Sequence, residues 1–324
     1  MSKISAIILS VSLFIMNMAY ASTIKNFSPY TDFTLNVHWD SSYQDLEPSD
    51  LLAVSQASGV KNFHLAFITD AGGCQPAWGG QSSYATAAGW GTHLTDKLHA
   101  NGIGYIVSLG GAAGEDLSKA CTDDQLVAAY EQIIKTYQPE GLDFDIENGT
   151  ANVAKVMSAL KQVQAAHPDL KISLTLPVLP EGLVSAGKDI VKQAHDKQLR
   201  FTVNIMAMDY GPAYVNDMGE YAVQAATQLF AFLKELNPEK SDTDIWHMIE
   251  VTPMIGVNDV NVEQFTLKNA DTLRNFANQN QLQGVSMWDI NRDQPCADTS
   301  ASLFCSGDNL QTASYDYARR FMQI

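Results

Sequence analysis

From about residue 33 onward the chain repeats one unit, a short β-rich run followed by a helical run, eight times. The β-rich runs are Phe33–Trp39, Asn62–Ile68, Tyr105–Leu109, Gly141–Glu147, Ile172–Leu176, Phe201–Met208, Glu250–Gly256 and Gly284–Trp288. The helical runs carry their own punctuation. Thr122 and Gln125 form a capping box before Leu126, Tyr130, Ile133, Ile134 and Tyr137, which recur at helical spacing. Val153, Val156, Met157, Leu160 and Val163 share one face up to the stop at His167-Pro168. Ser49 reads as the N-cap of a first helix that ends at Gly59, and a last helix is expected over about Asn309 to Phe321. Eight strand–helix units in about 300 residues predict an α/β fold, a (β/α)8 TIM barrel. A doubly wound open sheet is the main rival, but it would place a Gly-rich phosphate loop after the first strand, and none is present. In a barrel the site lies at the C-terminal ends of the strands.

The fourth β-rich run departs from ordinary alternation. Leu142, Phe144 and Ile146 share one face; Asp143, Asp145 and Glu147 share the other. Neighbouring carboxylates on that face stand roughly 7 Å apart. Like charges at about 6 Å and an effective dielectric near 20 repel by roughly 3 kcal/mol, or about two pKa units. The row is therefore expected to keep at least one proton at neutral pH, which a general acid requires. A solvated acidic edge strand is the bland alternative, and the apolar partner face argues against it.

The run Glu140-Gly141-Leu142-Asp143-Phe144-Asp145-Ile146-Glu147 resembles the D-G-x-D-x-D-x-E signature of family-18 glycoside hydrolases, the chitinase family, with Glu140 in place of the first Asp. Ser108-Leu109-Gly110-Gly111 resembles the family's S-x-G-G motif on strand three. Met208 and Tyr210 match its M-x-Y pattern on strand six, and Trp288 matches the Trp that ends strand eight. The resemblance spans the chain beyond its first 21 residues. It implies a chitinase using retaining, substrate-assisted hydrolysis of β-1,4-linked N-acetylglucosamine. Glu147 would be the general acid/base, Asp145 its partner, and Asp143 the deeper residue that holds Asp145. Tyr210 would steer the acetamido carbonyl, and Trp288 would floor the sugar ring. Met206 and Met208 would line the subsite, Gly110 and Gly111 would admit the sugar closely, and Ser108 would orient Asp143. Trp39, with Trp78 and Trp90, would offer outer subsites. Many relatives carry an α+β insertion after strand seven; here helical sequence resumes by Val262, so none is expected, and an open groove with endo action follows. An endo-β-N-acetylglucosaminidase acting on N-glycans and a sugar-binding lectin on the same barrel are the alternatives.

Residues 1–21 read as a signal peptide. Lys3 supplies the positive end, Ile7 to Met16 the apolar stretch, and Ala19-Tyr20-Ala21 the cleavage site. Residues 22–324 are then a single catalytic barrel, secreted to an extracellular or periplasmic space. The formal net charge of −16 opposes nucleic-acid binding, and no other stretch is apolar enough to span a membrane. The expected partner is chitin or oligosaccharides of N-acetylglucosamine, bound by a monomer. Cys74, Cys121, Cys296 and Cys305 suit two disulfides in an exported chain. Cys74–Cys121 with Cys296–Cys305 is favoured, since each would tie loops on one side of the fold, though three pairings exist. No C-x-x-C or His pair at ligand spacing appears, so neither metal nor cofactor is expected. Asn148-Gly149-Thr150 is a glycosylation sequon beside Glu147.

Overall fold

The computed structural model describes residues 27–323, and the expected signal peptide lies outside them. Eight parallel strands follow one another in chain order around a curled sheet: β1 (Tyr30–Asp32), β2 (Asn62–Asp70), β3 (Gly104–Gly110), β4 (Gly141–Asp145), β5 (Lys171–Leu179), β6 (Thr202–Ala207), β7 (Ile249–Pro253) and β8 (Gly284–Val285). No ladder joins β8 back to β1. That gap is spanned by an isolated parallel bridge between Phe27 and Val285 and by the Ser28 and Tyr30 N–H groups, which donate to Val285 and Met287 carbonyls at 3.2 and 3.0 Å. The architecture is that of a (β/α)8 barrel. Among the described residues no helix is long and apolar enough to cross a membrane.

Helices α1 (Leu51–Ser58), α2 (Thr92–Ala100), α3 (Asp123–Tyr137), α4 (Val153–Ala166), α5 (Ser185–Asp196), α6 (Met218–Leu236), α7 (Leu267–Asn280) and α8 (Asp316–Phe321) follow the strands in turn. The capping box at Thr122 and Gln125 forms, and α3 buries the apolar face read from its spacing. Outward residues of the strands, such as Leu142, Phe144, Leu174 and Ile205, are buried against that helical layer. Many of the inward residues are polar, among them Asp143, Ser173, Thr175 and Asn204. Tyr30 on β1 reaches Asp143 on β4 and Thr175 on β5 by hydrogen bonds of 2.9 and 3.0 Å. Those strands are not neighbours, so the bonds cross the barrel interior.

Several boundaries differ from the sequence reading. The first barrel strand is Tyr30–Asp32, not Phe33–Trp39. Asp32 Oδ1 accepts from the Thr34 and Leu35 N–H groups, a local turn that ends the strand. Trp39 therefore belongs to a small antiparallel hairpin, His38–Asp40 with Asp45–Glu47. Asp50, not Ser49, caps α1; its carboxylate accepts from Leu52 and Ala53 N–H groups. The last helix begins only at Asp316. Between β7 and α7 stands a two-stranded hairpin, Gly256–Val257 with Gln264–Phe265, and no insertion domain. Both favoured disulfides, Cys74–Cys121 and Cys296–Cys305, are formed.

Candidate active site

At the C-terminal ends of the strands opens a cavity of about 430 Å³. Asp145, Glu147 and Thr175 line it; Tyr30, Phe67 and Trp288 form an aromatic wall, and Met206, Met208, Thr252, Met254 and Asp259 are also part of the lining. β4 ends at Asp145, two residues before Glu147, but Ile146 N–H still donates to the Thr175 carbonyl at 3.0 Å. The extended backbone therefore continues, and the alternation carries Glu147 to the same face as Asp145.

The three carboxyls of the row live in different surroundings. Asp143 is fully buried. Its Oδ2 accepts from Tyr30 and Ser108 hydroxyls at 2.9 and 2.6 Å, and its Oδ1 from Ser173 and Thr175 hydroxyls at 2.6 and 2.7 Å. Four hydroxyl donors fill its acceptor capacity. Asn204 extends the cradle by donating to Thr175 and accepting from Thr252. Asp145 is also buried, yet its Oδ1 has no hydrogen-bond partner. Burial first, then the charges of Glu147 and Asp143, hold its carboxyl well above the usual range, so it favours the protonated form. Glu147 is open to the cleft and makes no side-chain hydrogen bond among the described residues. Loss of hydration in the cleft, and then the nearby Asp209, still raise its pKa. Asp143 makes no hydrogen bond to Asp145, so the expected holding role is corrected: the hydroxyls saturate Asp143, and it acts on Asp145 through charge.

Tyr210 is the main correction at the site. Its ring is buried against Tyr214 and Tyr221, at centroid distances of 5.6 and 5.9 Å, and it is not part of the cavity wall. Its hydroxyl has no partner, and burial raises its pKa well above the usual phenol. The cause is local. β6 ends at Ala207, and Asp209 adopts a left-handed conformation with φ 50°. That turn breaks the alternation on which Met206, Met208 and Tyr210 would have shared a face. Glu263 fixes the turn by accepting the Gly211 N–H at 2.8 Å, and Asp209 accepts the Val260 N–H at the same distance. Met208 and Asp209 face the cavity instead. Burial raises the pKa of Asp209, opposed by its bond from Val260 and by the Arg292 charge.

Gly110 and Gly111 serve the protein, not a sugar. A Cβ on Gly110 would stand 2.1 Å from the Asp145 carbonyl, and one on Gly111 would stand 2.8 Å from the Phe67 ring. The close approach expected there is therefore taken up by β4 and by the aromatic wall. Trp288 is half-buried and stacks on Phe67 at 5.6 Å with planes 18° apart. Trp78 and Trp90 are core residues, their indole N–H groups donating to the Tyr137 hydroxyl and the Leu46 carbonyl. Trp39 is 62% exposed on its hairpin, outside the cavity wall. Sequence reasoning missed Tyr30, Phe67, Asp209 and Thr252. Tyr30 lay just ahead of the strand as read, and Asp209 fell on the wrong side of the expected alternation. Phe67 and Thr252 carried no signal beyond being in strands. Cys296, Asp298 and Cys305 also cluster, but both sulfurs are spent in the disulfide.

No family model matches the chain. It is similar to a probable bifunctional chitinase/lysozyme of Escherichia coli K12, 34% identical over a 319-residue alignment that covers 91% of this chain and 34% of the relative. It is also similar to endochitinase 11 of Metarhizium anisopliae, 35% identical over 84% of this chain and 53% of the relative. The chain thus spans about a third and about half of the curated relatives it matches. Among solved structures, the catalytic domain of a hyperthermophilic chitinase from Pyrococcus furiosus is 35% identical, with a TM-score of 0.81, over 92% of this chain and 93% of that one. Catalytic-site mutants of that enzyme's active domain 2 have been solved with chito-oligosaccharides at 34% identity and the same TM-score.

Proposed function

The chain belongs to the family-18 chitinases, and from that premise we infer that it hydrolyses β-1,4-linked N-acetylglucosamine polymers by a retaining, substrate-assisted route. One observation carries the reading. A buried carboxyl oxygen without a partner, on Asp145, stands next to a solvent-open acid, Glu147, in an aromatic-walled cleft. Buried polar atoms are nearly always partnered. The acetamido N–H of a bound sugar would supply the donor that Asp145 lacks.

Glu147 then protonates the departing glycosidic oxygen, a role its raised pKa suits. The substrate's acetamido carbonyl attacks the anomeric carbon, and Glu147, now ionised, takes a proton from the water that reopens the ring. Asp145 and Glu147 approach from one strand and one side. A protein nucleophile would need to act from the opposite face, flanking the bond. Tyr210 has no part in this scheme, because its hydroxyl is buried away from the cleft. Met206 and Met208 supply apolar contact for the acetamido methyl, and Trp288 the stacking floor. Between β7 and α7 there is a short hairpin and not an insertion domain; it brings Asp259 to the cavity lining, and its small size favours an open groove and internal cleavage of long chains. We place the domain at residues 22–324 and its workplace outside the cytoplasm, reached through the N-terminal signal at residues 1–21.

Product analysis tests the reading. Incubation with N-acetylglucosamine oligomers should release chitobiose, while an N-glycoprotein treated in parallel should keep its glycans. Glycan release without oligomer cleavage would transfer the reading to an endo-β-N-acetylglucosaminidase. Covalent trapping of a glycosyl ester on any Asp or Glu would overturn the substrate-assisted route.

A further inference from the structure

Glu147 poses a positional problem. It lies two residues beyond the last residue of β4, and its own side chain makes no hydrogen bond among the described residues. A group that both gives and takes a proton has to stay free of fixed partners. Something other than its side chain must therefore hold it in place. On the N-terminal side, the Asp145 carbonyl accepts the Gly111 N–H at 3.0 Å. On the C-terminal side, Asn148 Nδ2 donates to the Gly111 carbonyl at 2.8 Å and to the Gly114 carbonyl at 3.2 Å. Residues 145 and 148 are thus tied to the same residue, one through its N–H and the other through its C=O, with Glu147 between them. The other half of the Asn148 amide is also committed. Its Oδ1 accepts from the Thr150 N–H and hydroxyl at 3.0 and 2.7 Å, and Thr150 Oγ1 in turn accepts the Asp116 N–H at 3.0 Å.

We propose that Asn148 is a positioning residue, a clamp that fixes the Glu147 backbone to the Gly111–Gly114 turn so that the carboxyl itself can remain unbonded. The requirement for Gly at 111 is part of the device. A side chain there would strike Phe67, so any shift of this turn would move the aromatic wall and the acid together. An acid displaced by about 1 Å costs on the order of 10²-fold in rate. The clamp acts on kcat, since Asn148 is not part of the cavity wall and contributes nothing to ground-state binding.

The inference rests on the chitinase reading for its activity assay but not for its structural test. Asn148→Ala removes every side-chain bond of Asn148 and leaves only the backbone tie between Gly111 and Asp145. Asn148→Asp keeps the shape and the bonds from Thr150 but loses both donors to Gly111 and Gly114. In both variants kcat on a soluble N-acetylglucosamine oligomer should fall about 10-fold or more, with KM within about threefold and Tm little changed. In Asn148→Ala the basic limb of the pH–kcat profile should move to lower pH, because a released Glu147 spends time in bulk water; Asn148→Asp adds a negative charge beside Glu147 that opposes this shift, so the profile is read on the Ala variant. Hydrogen exchange of residues 146–150 should quicken in both variants, whatever the substrate turns out to be. Exchange at the wild-type rate would overturn the clamp, even if the wild-type protein proved inactive on these oligomers. Wild-type kcat in Asn148→Asp, or a loss of kcat that merely follows a loss of Tm, would overturn its catalytic role.

Discussion

The floor of the barrel and its mouth carry the same chemical groups in opposite conditions. On the floor, Asp143 is enclosed by four hydroxyls, themselves linked through Thr175 to Asn204 and Thr252. At the mouth, Asp145 has a bare buried oxygen, and the Glu147 side chain makes no hydrogen bond among the described residues. The groups are two residues apart on one continuous strand. The difference teaches that hydrogen-bond satisfaction, not residue type, separates a structural carboxylate from a reactive one. A saturated acceptor network rigidifies; a buried polar atom left open is poised to receive a ligand.

The largest effect should come from the mouth. Glu147→Gln keeps size and polarity but cannot transfer the proton, so turnover should fall at least about 10²-fold while oligosaccharide binding and Tm persist. Near-normal turnover would break the comparison at its reactive end. Asp143→Ala should do the reverse in kind. It removes the common acceptor of four buried hydroxyls, leaving only the Tyr30–Thr175 contact among them, and stability should drop by about 3 kcal/mol in a denaturant titration. A variant with unchanged stability would remove the structural role assigned to the floor.

The pH dependence of stability adds a third region. In the loop after β8, burial raises Asp289 to about 6 and Asp293 to about 7, against an ordinary Asp value near 3.9. Folded-state pKa values above the unfolded ones mean that the native state holds more protons in that window. The stabilisation is fully present below about pH 4 and is lost as pH rises through 6 to 7. For these two groups Tm should therefore decline between pH 4 and 7, and Asp293→Asn should flatten the slope. A smaller shift tests the electrostatics of the cleft. Asp209→Asn removes a negative charge that helps raise Glu147, so the basic limb of kcat/KM should move to lower pH. The smallest effect is expected from Tyr210→Phe. Its hydroxyl is buried and unpartnered, so activity should stay within about twofold. A large loss would return Tyr210 to the cleft.

Much of this was readable in advance because it depended on local order along the chain. The eight repeated strand–helix units, with no Gly-rich phosphate loop, pointed to a barrel, and the period of two put Asp143, Asp145 and Glu147 on one face, whatever their neighbours. The capping box at Thr122 and Gln125 needs only four consecutive residues. The tertiary structure decided the matters that depend on partners from distant strands. Asp143 is a saturated acceptor because Tyr30, Ser108, Ser173 and Thr175 converge on it from three other strands. Tyr210 left the site because Asp209 turns left-handed to bond with the hairpin after β7, more than 50 residues away along the chain. Gly110 and Gly111 admit a carbonyl and an aromatic ring where a sugar was expected, because β4 and β2 arrive there first. Periodicity states which side of a strand a residue leaves from. Only the packed barrel states whether that strand is still extended when the residue is reached, and what is waiting on the other side.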